Sequence, residues 1–447
     1  MAAESEFVLL PSEAESYVEN LQCFEIKEIG SSRWMVQHEH IEKLHMQAVV
    51  SASRNEDEFV KEFLISHQKV TTLVWELLTI ELWKSHVFTR LMKMSVDHEP
   101  EQTFPCYVVL YHEVTLAGLL EIVLYHQAAC EVADDVMLDV ADFCCRKITF
   151  LISKQAKGVN LYEETELDAV TGTSATGRQE LKRQYKQIQF QVTVKAVSIL
   201  KYIIDHLNSL PLSIMTHLLN KNDMICCFVE LIENPPWTAR KKDGHSVKFI
   251  NGKWQKIEDG ELMKLTKLEG QVWLSLFCLL MNPDCQRKYE FNSHNKTVVL
   301  KIRGRLLEVI VDQLPCLNDL QRYLEHLAFM EPPAVKKEVV LEQVPEMRER
   351  LLTDHKDKWR AIAELHATTI LFPSRDDVQR YAQSLASTYS LDILEKYVCD
   401  SPKCALCGQE ASKRCSRCQN EWYCGRECQV KHWTKHKIAC NMMTDMK

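Results

Sequence analysis

The chain has 447 residues, a mass of 52.0 kDa and 46% hydrophobic content, enough to bury a sizeable core and to exclude wholesale disorder. Its 12 Gly and 13 Pro lie below the usual shares of about 7% and 5%, which argues against a turn-rich all-β fold and for a mostly helical one. A formal charge of −8 excludes the broad positive field that sequence-independent nucleic-acid binding draws on.

The opening, Met1 to Leu10, carries Glu4 and Glu6 and no basic segment followed by an apolar stretch. No secretory signal is expected. His38, His40 and His45 are metal-ligand types without a Cys or carboxylate pattern around them, so they read as surface or internally satisfied histidines. Val70, Leu73, Val74, Leu77, Leu78 and Leu82 form one helical stripe, and Leu116, Leu119, Leu120, Val123 and Leu124 a second. Asp134-Asp135 and Glu163-Glu164 are adjacent pairs that point to different faces, which makes them poor acid/base partners. Residues 156–180, polar and small with Gly158, Gly172 and Gly177, read as a flexible surface loop.

Val194, Val197, Leu200, Ile203, Ile204 and Leu207 make a third stripe, broken at Pro211. The next apolar helix runs through Phe228, Val229 and Ile232 and ends at Asn234-Pro235-Pro236. The longest run free of Asp, Glu, Lys and Arg is fifteen residues, His206 to Asn220, shorter than the roughly 20 a membrane span needs; no membrane insertion is expected. Between 246 and 257 the alternation around Asn251-Gly252 predicts a two-residue β-hairpin, which needs a surface to lie on. A further break falls at Glu331-Pro332-Pro333, within 331–336. Two or three more helices follow over 337–395, one starting at Ser374 with Asp377 as an imperfect capping box.

Antiparallel helices joined by short connections over 1–398 predict an irregular helical array of the armadillo or HEAT kind, an α-solenoid with one hairpin, although no repeat of fixed period is present. Trp34, Trp83, Trp237, Trp254, Trp273 and Trp359 are assigned to its core. So are Cys144, Cys145, Cys226, Cys227 and Cys278. No phosphate-cradling Gly-rich loop, nucleophile elbow or His-Glu-x-x-His helix occurs, so no reaction is expected and no catalytic residue is assigned.

Seven of the 18 cysteines crowd into residues 404–440, spaced Cys404-x2-Cys407-x7-Cys415-x2-Cys418-x5-Cys424-x3-Cys428-x7-His436-x3-Cys440. Eight soft ligands in pairs make two four-coordinate sites, and Zn²⁺ takes four Cys or His ligands at structural sites. A two-residue gap lets a tight turn aim both sulfurs at one ion, whereas Cys424 with Cys428, and His436 with Cys440, fall on one side of a helix. Spacing alone leaves sequential and interleaved pairings open. Residues 401–447 hold nine Lys or Arg against four Asp or Glu, a formal +5 on a body of −13. Seven thiolates and two dications bring the metallated segment near +2, so its basic character is slight.

The string Cys404 to Cys440, with Trp422-Tyr423-Cys424 and His432-Trp433-Thr434-Lys435-His436, closely resembles a MYND zinc finger. The resemblance implies interleaved sites: Cys404, Cys407, Cys424 and Cys428 on one zinc, Cys415, Cys418, His436 and Cys440 on the other, with His432 outside both. Both ions are then structural. It also implies a shallow groove for short proline-containing peptides at Ser416, Gln429 and Trp433; alternatively Trp433 packs against the zinc knuckles. Some MYND proteins embed the finger in a SET-type lysine methyltransferase, but here the finger is C-terminal and Phe291-Asn292-Ser293-His294 is only a faint match to a cofactor motif.

Longer strings extend the likeness over most of the chain: Leu268-Glu269-Gly270-Gln271-Val272-Trp273, Asp312-Gln313-Leu314-Pro315, Val339 to Glu346, and most of Ala411 to Trp433. The body resembles that of MYND-finger proteins of axonemal dynein arm preassembly. This implies a non-catalytic adaptor or co-chaperone scaffold working with a leucine-rich-repeat assembly factor and heat-shock chaperones on dynein arm chains. It further implies cytoplasmic residence, near centriolar satellites, in cells with motile cilia. Other MYND fingers recruit repressors, which makes a nuclear corepressor adaptor the alternative; its only basic run is Arg240-Lys241-Lys242.

Overall fold

The computed structural model describes residues 9–96, 98–166, 176–241, 243–330, 343–374, 404–417 and 421–445. The chain divides into two compact units, Met1–Arg380 and Tyr381–Lys447, considered separately. The breaks expected at 331–336 and the helix expected from Ser374 lie largely outside the described residues.

The body opens with α1 (Pro11–Glu19), α2 (Ser32–Arg54), α3 (Phe59–Ser66) and α4 (Val70–Leu82), which runs through a π-helical turn, Trp83–Phe88, into α5 (Thr89–Met94). Then come α6 (Phe104–Val123), α7 (Gln127–Ala133), α8 (Val136–Ala156), α9 (Leu161–Glu166) and α10 (Gly177–Asp205). The starts are written locally. The Ser31 side chain accepts from the Trp34 amide at 3.3 Å to cap α2, and Thr176 with Gln179 forms a reciprocal capping box at α10, each satisfying amides that a helix start leaves open.

α6 is the central element, packed by α2, α4 and α10, while α10 also meets α8 and the later α13 (Lys267–Met281). The stripe Val70, Leu73, Val74, Leu77, Leu78 and Leu82 is buried, as are Leu116, Leu119, Leu120, Val123 and Leu124. By length and hydropathy α6 could cross a membrane, but 78% of its apolar window is buried inside the body. An apolar helix covered on all sides by others is a core helix. The backbone of α6 approaches α2 at Gly118, where an added Cβ would run into the His45 ring. Gly118→Ala is therefore expected to destabilise the body by about 1–3 kcal/mol through overpacking, read as a lowered urea midpoint; an unchanged midpoint would mean that the two helices part freely.

Beyond α10 lie α11 (Leu212–Thr216), α12 (Met224–Glu233) and an antiparallel sheet in the order β1 (Thr238–Arg240), β2 (Ser246–Ile250), β3 (Lys253–Ile257). The hairpin closes through Asn251 (φ 49°) and Gly252 (φ 79°), the paired left-handed residues a two-residue turn needs, with Phe249 opposite Trp254. Its platform is α10 and α9. The Trp254 ring stacks on Phe190 at 5.6 Å and meets Tyr162 edge-on at 5.4 Å, and its indole N–H donates to Thr165 Oγ1 at 3.0 Å. Of the loop expected over 156–180, residues 161–166 and 177–180 are helical instead: Leu161 is buried, Tyr162 and Thr165 reach Trp254, and Gly177 opens α10 under the Thr176 cap. The sheet also has one strand more than the single hairpin expected.

Among the described residues the body continues with α14 (Pro283–Lys288), α15 (Ser293–Lys301), α16 (Glu308–Gln313), α17 (Leu317–Phe329), α18 (Met347–Asp354) and α19 (Trp359–His366). Thr266 and Glu269 cap α13 reciprocally. Phe291–His294 is a helix start: Asn292 Oδ1 accepts from the amides of His294 and Asn295 at 2.9 and 3.0 Å. The array is not open-ended, because His366 Nε2 reaches the Lys27 carbonyl at 3.2 Å while its Nδ1 accepts from the Trp83 indole at 2.8 Å. The first and last thirds of the body thus meet.

Of the tryptophans assigned to the core, Trp34, Trp83, Trp237, Trp273 and Trp359 are buried and Trp254 is half-buried beneath its hairpin. Cys144 and Cys145 are buried, and Cys226, Cys227 and Cys278 half-buried. Asp134 occupies the turn before α8, and Glu164 binds Lys154 at 2.6 Å.

Candidate metal centre

Residues 404–440 hold too little apolar surface to fold unaided; what the described part builds is a set of sulfurs around a small core of Cys404, Ala411, Cys415, Tyr423 and Cys440. The first knuckle turns after Cys407 at Gly408, whose φ of 72° favours glycine. Its ends are tied by Cys404 N–H to the Gln409 carbonyl at 2.7 Å and Gly408 N–H to the Cys404 carbonyl at 2.9 Å. Strand β4 (Lys413–Arg414) pairs with β5 (Trp422–Tyr423), which delivers the chain to α20 (Arg426–Asp445). Cys424 sits in the turn before α20 rather than on it, and Cys428 falls in its first turns.

Two groups of donor atoms result. Cys404, Cys407, Cys424 and Cys428 gather their sulfurs, and Cys415, His436 and Cys440 gather a second, buried set. Sulfur separations are 3.5 Å for Cys407–Cys424, 3.5 Å for Cys424–Cys428, 3.9 Å for Cys407–Cys428 and 3.9 Å for Cys415–Cys440. A tetrahedral ion with Zn–S bonds of ≈ 2.3 Å sets ligand sulfurs about 3.8 Å apart. The donor set therefore fits zinc in type and spacing. Cys418, the remaining ligand expected from the sequence, lies outside the described residues.

The electrostatics point the same way. Burial opposes ionisation of Cys404, but the backbone N–H groups of Cys424, Cys407 and Leu406 outweigh it and hold the thiol down to about 6. Its neighbour Cys424 is pushed up to about 12 by contacts with the sulfurs of Cys428, Cys407 and Cys404. Four thiolates cannot share this space without a dication between them, and a thiol that coordinates zinc is deprotonated outright.

His432 stays out of both groups, as expected: its Nδ1 meets Tyr423 Oη at 3.0 Å and its ring stacks over His436 at 6.1 Å. Trp433 is half-buried with its ring edge-on to His436 at 5.8 Å, so it packs beside the second ligand group while keeping an accessible face. Gln429 is half-buried one turn earlier and Ser416 is exposed. Arg414, which reads from the sequence as one of the tail's solvated charges, lays its guanidinium 4.4 Å from the centre of the Trp422 ring, a cation–π contact across β4 and β5 that sequence reasoning missed. The alternation of Trp422 and Tyr423 on a strand, one out and one in, was the available signal.

The finger and its donor sets define a MYND zinc-finger protein, with two structural zinc ions; the MYND finger profile matches residues 404–440. Along its whole length the chain is similar to a zinc finger MYND domain-containing protein 10 homolog of Drosophila melanogaster, 32% identical over 452 residues, covering 96% of this chain and 98% of the relative. The chain belongs to that family, the BLU type of MYND-finger protein. Ubiquitin carboxyl-terminal hydrolase 19 of Arabidopsis thaliana shares only 44 residues at 41% identity, 10% of this chain and 6% of that one. No solved structure matches.

Proposed function

We propose that the protein is a non-catalytic adaptor for the cytoplasmic preassembly of axonemal dynein arms, in which the helical body carries clients or chaperones and the zinc finger docks a partner peptide. The observation that carries this reading is likeness over the full length, body included, to a family of MYND-finger proteins. A shared finger alone would support only a generic docking module, as the short match to the hydrolase illustrates. The expected partners are a leucine-rich-repeat dynein assembly factor and heat-shock chaperones with their co-chaperones, and the expected location is the cytoplasm of multiciliated cells, near centriolar satellites. In the finger, Cys404, Cys407, Cys424 and Cys428 hold one zinc, and Cys415, Cys418, His436 and Cys440 the other.

Ser416, Gln429 and Trp433 form the peptide-binding face of this reading. Trp433 leaves part of its ring accessible, and an aromatic platform is a common anchor for proline-containing peptides. Trp433→Ala is expected to weaken capture of the assembly factor about tenfold or more, the range of an aromatic hot spot, with both zincs retained. Undiminished capture would assign this residue to packing alone. For the function itself, proximity labelling in multiciliated cells with the full chain and its Cys440→Ser variant is expected to recover dynein chains and assembly factors with the former. Absence of dynein arm components from both, or confinement of the protein to nuclei, would overturn the proposal.

A further inference from the structure

Beyond α10 the body encloses a cavity of about 220 Å³ between the sheet, the end of α12, α13 and α16. Leu231, Trp237, Val272, Trp273 and Ile310 line it, all of them buried. Its lip is the turn 262–265 that follows β3. Gln313 ties this turn to α16, accepting from the Leu265 amide at 2.8 Å and donating to the Met263 carbonyl at 3.1 Å. An apolar cavity of roughly 150 Å³ takes up benzene, so this one has room for a bulky apolar side chain.

Three donors along its wall have hydrogens to spare. Trp237 and Thr238 both line the cavity, and neither the indole N–H nor the Thr238 hydroxyl meets an acceptor among the described residues. Thr238 stands opposite Lys248 in the register of β1 and β2, so their side chains share one face of the sheet. Lys248 is buried and lines the same space; its ammonium donates to the Lys264 carbonyl at 2.9 Å and to Glu269 Oε2 at 3.0 Å, which leaves a third hydrogen. Buried donors without partners are rare, because each forfeits its hydration for nothing in return. Apolar walls with a few convergent polar groups are the composition of a binding pocket.

The surroundings select the occupant. Nearby charges cancel in pairs, Lys248 with Glu269, Arg305 with Glu233 at 2.9 Å and Lys264 with Glu261 at 3.5 Å, so no charge is left over to draw an ionic ligand. Leu262 and Met263 at the lip are 38% and 40% exposed. Val309, whose carbonyl accepts from the same Gln313 Nε2 at 2.8 Å, adds a third apolar side chain, 53% exposed. Apolar surface that extends past the opening suits a chain lying across it rather than an isolated small molecule. We propose that this cavity is a docking pocket for an uncharged partner peptide, which inserts one bulky apolar side chain and sets a main-chain carbonyl against the Trp237 indole and the Thr238 hydroxyl. The pocket lies wholly within the body, and its occupant is independent of what the zinc finger binds.

The probe is N-acetylphenylalanine methylamide, which carries a phenyl ring flanked by peptide carbonyls. Titrated into the full chain labelled with nitrogen-15 tryptophan, it is expected to move the Trp237 indole proton downfield, with half-saturation on the order of 1 mM, an affinity usual for a fragment of its size. The resonance is assigned with Trp237→Phe. Val272→Trp, which fills the cavity, is expected to abolish the shift. Thr238→Val keeps the shape but removes one donor, and gives a second readout should Val272→Trp not fold: half-saturation is expected to rise about fivefold. No indole shift, a shift that survives Val272→Trp, or an unchanged half-saturation in Thr238→Val would overturn the proposal. Uptake of ethylbenzene without uptake of the amide would make the space a site for small apolar molecules, and an indole shift that grows with protein concentration in the absence of probe would make the occupant a second copy of the chain; either result refutes the peptide.

Discussion

Chelating zinc from the full chain is expected to unfold residues 404–440 while the body keeps its helical signal. Zinc at structural sites of small modules contributes apparent free energies of about 10–16 kcal/mol at neutral pH. Among its described residues the finger has little else: its buried apolar core there is five residues, three of them cysteines from the ligand groups. Without the ion, the sulfurs of Cys404, Cys407, Cys424 and Cys428 are left 3.5–3.9 Å apart as competing thiols, and the knuckle they close has no other anchor than a few backbone hydrogen bonds. Cys440→Ser should act in the same direction on the second group, dropping metal content from two ions toward one and exposing α20 to protease. Full zinc content in that variant, or a protease-resistant finger after chelation, would remove Cys440 from the ligand set. The body is a separate compact unit, so its urea transition is expected to be unchanged by either treatment.

Glu113→Ala is the body substitution with the largest expected effect, about 3–5 kcal/mol of lost stability. Glu113 is fully buried on α6 and serves two cations at once: Lys84 from the π-helical turn and Lys147 from α8, the latter at 2.9 Å. Lys147 also reaches Glu81 on α4 at 3.0 Å, and Arg146 joins Glu81 to Asp142, which faces His217 at 3.1 Å. Removing one carboxylate leaves two buried ammonium groups to share Glu81. Burial opposes ionisation of both acids, yet the neighbouring lysines and Arg146 outweigh it, holding Glu113 below the usual range and Glu81 down to about 2. Both contributions are therefore present above about pH 4.5 and fade as pH falls through the depressed folded-state values. A loss under 1 kcal/mol in urea at pH 7 would show that the lysines find water or rotate to the surface. Replacement of the whole set by apolar residues of like volume would not carry the same penalty, since the cost lies in the unpaired charge.

Much of the helical organisation is legible in local patterns. The stripes of α4 and α6 bury as their spacing predicts, and the Asn251-Gly252 turn closes where two left-handed residues are needed. These signals depend on neighbours a few residues away, which is why they survive translation from sequence to structure. The metal centre is legible for a related reason: soft donors at fixed short intervals have few uses other than holding an ion.

What the sequence could not supply is the identity of distant partners. Residues 161–166 carry a loop-like composition, yet they form a helix packed against α10 that also reaches Trp254, nearly ninety positions later. His38 reads as one more unremarkable histidine until α6 places His112 2.8 Å from it and α4 sets Glu76 behind that. Periodicity and ligand spacing by themselves determined that this is a helical body with a two-zinc finger, because those features are written within single elements. Tertiary packing alone decided which ionisable side chains are dry and that His366 meets Lys27 and Trp83 across the body, because desolvation and pairing are set by elements remote in the chain.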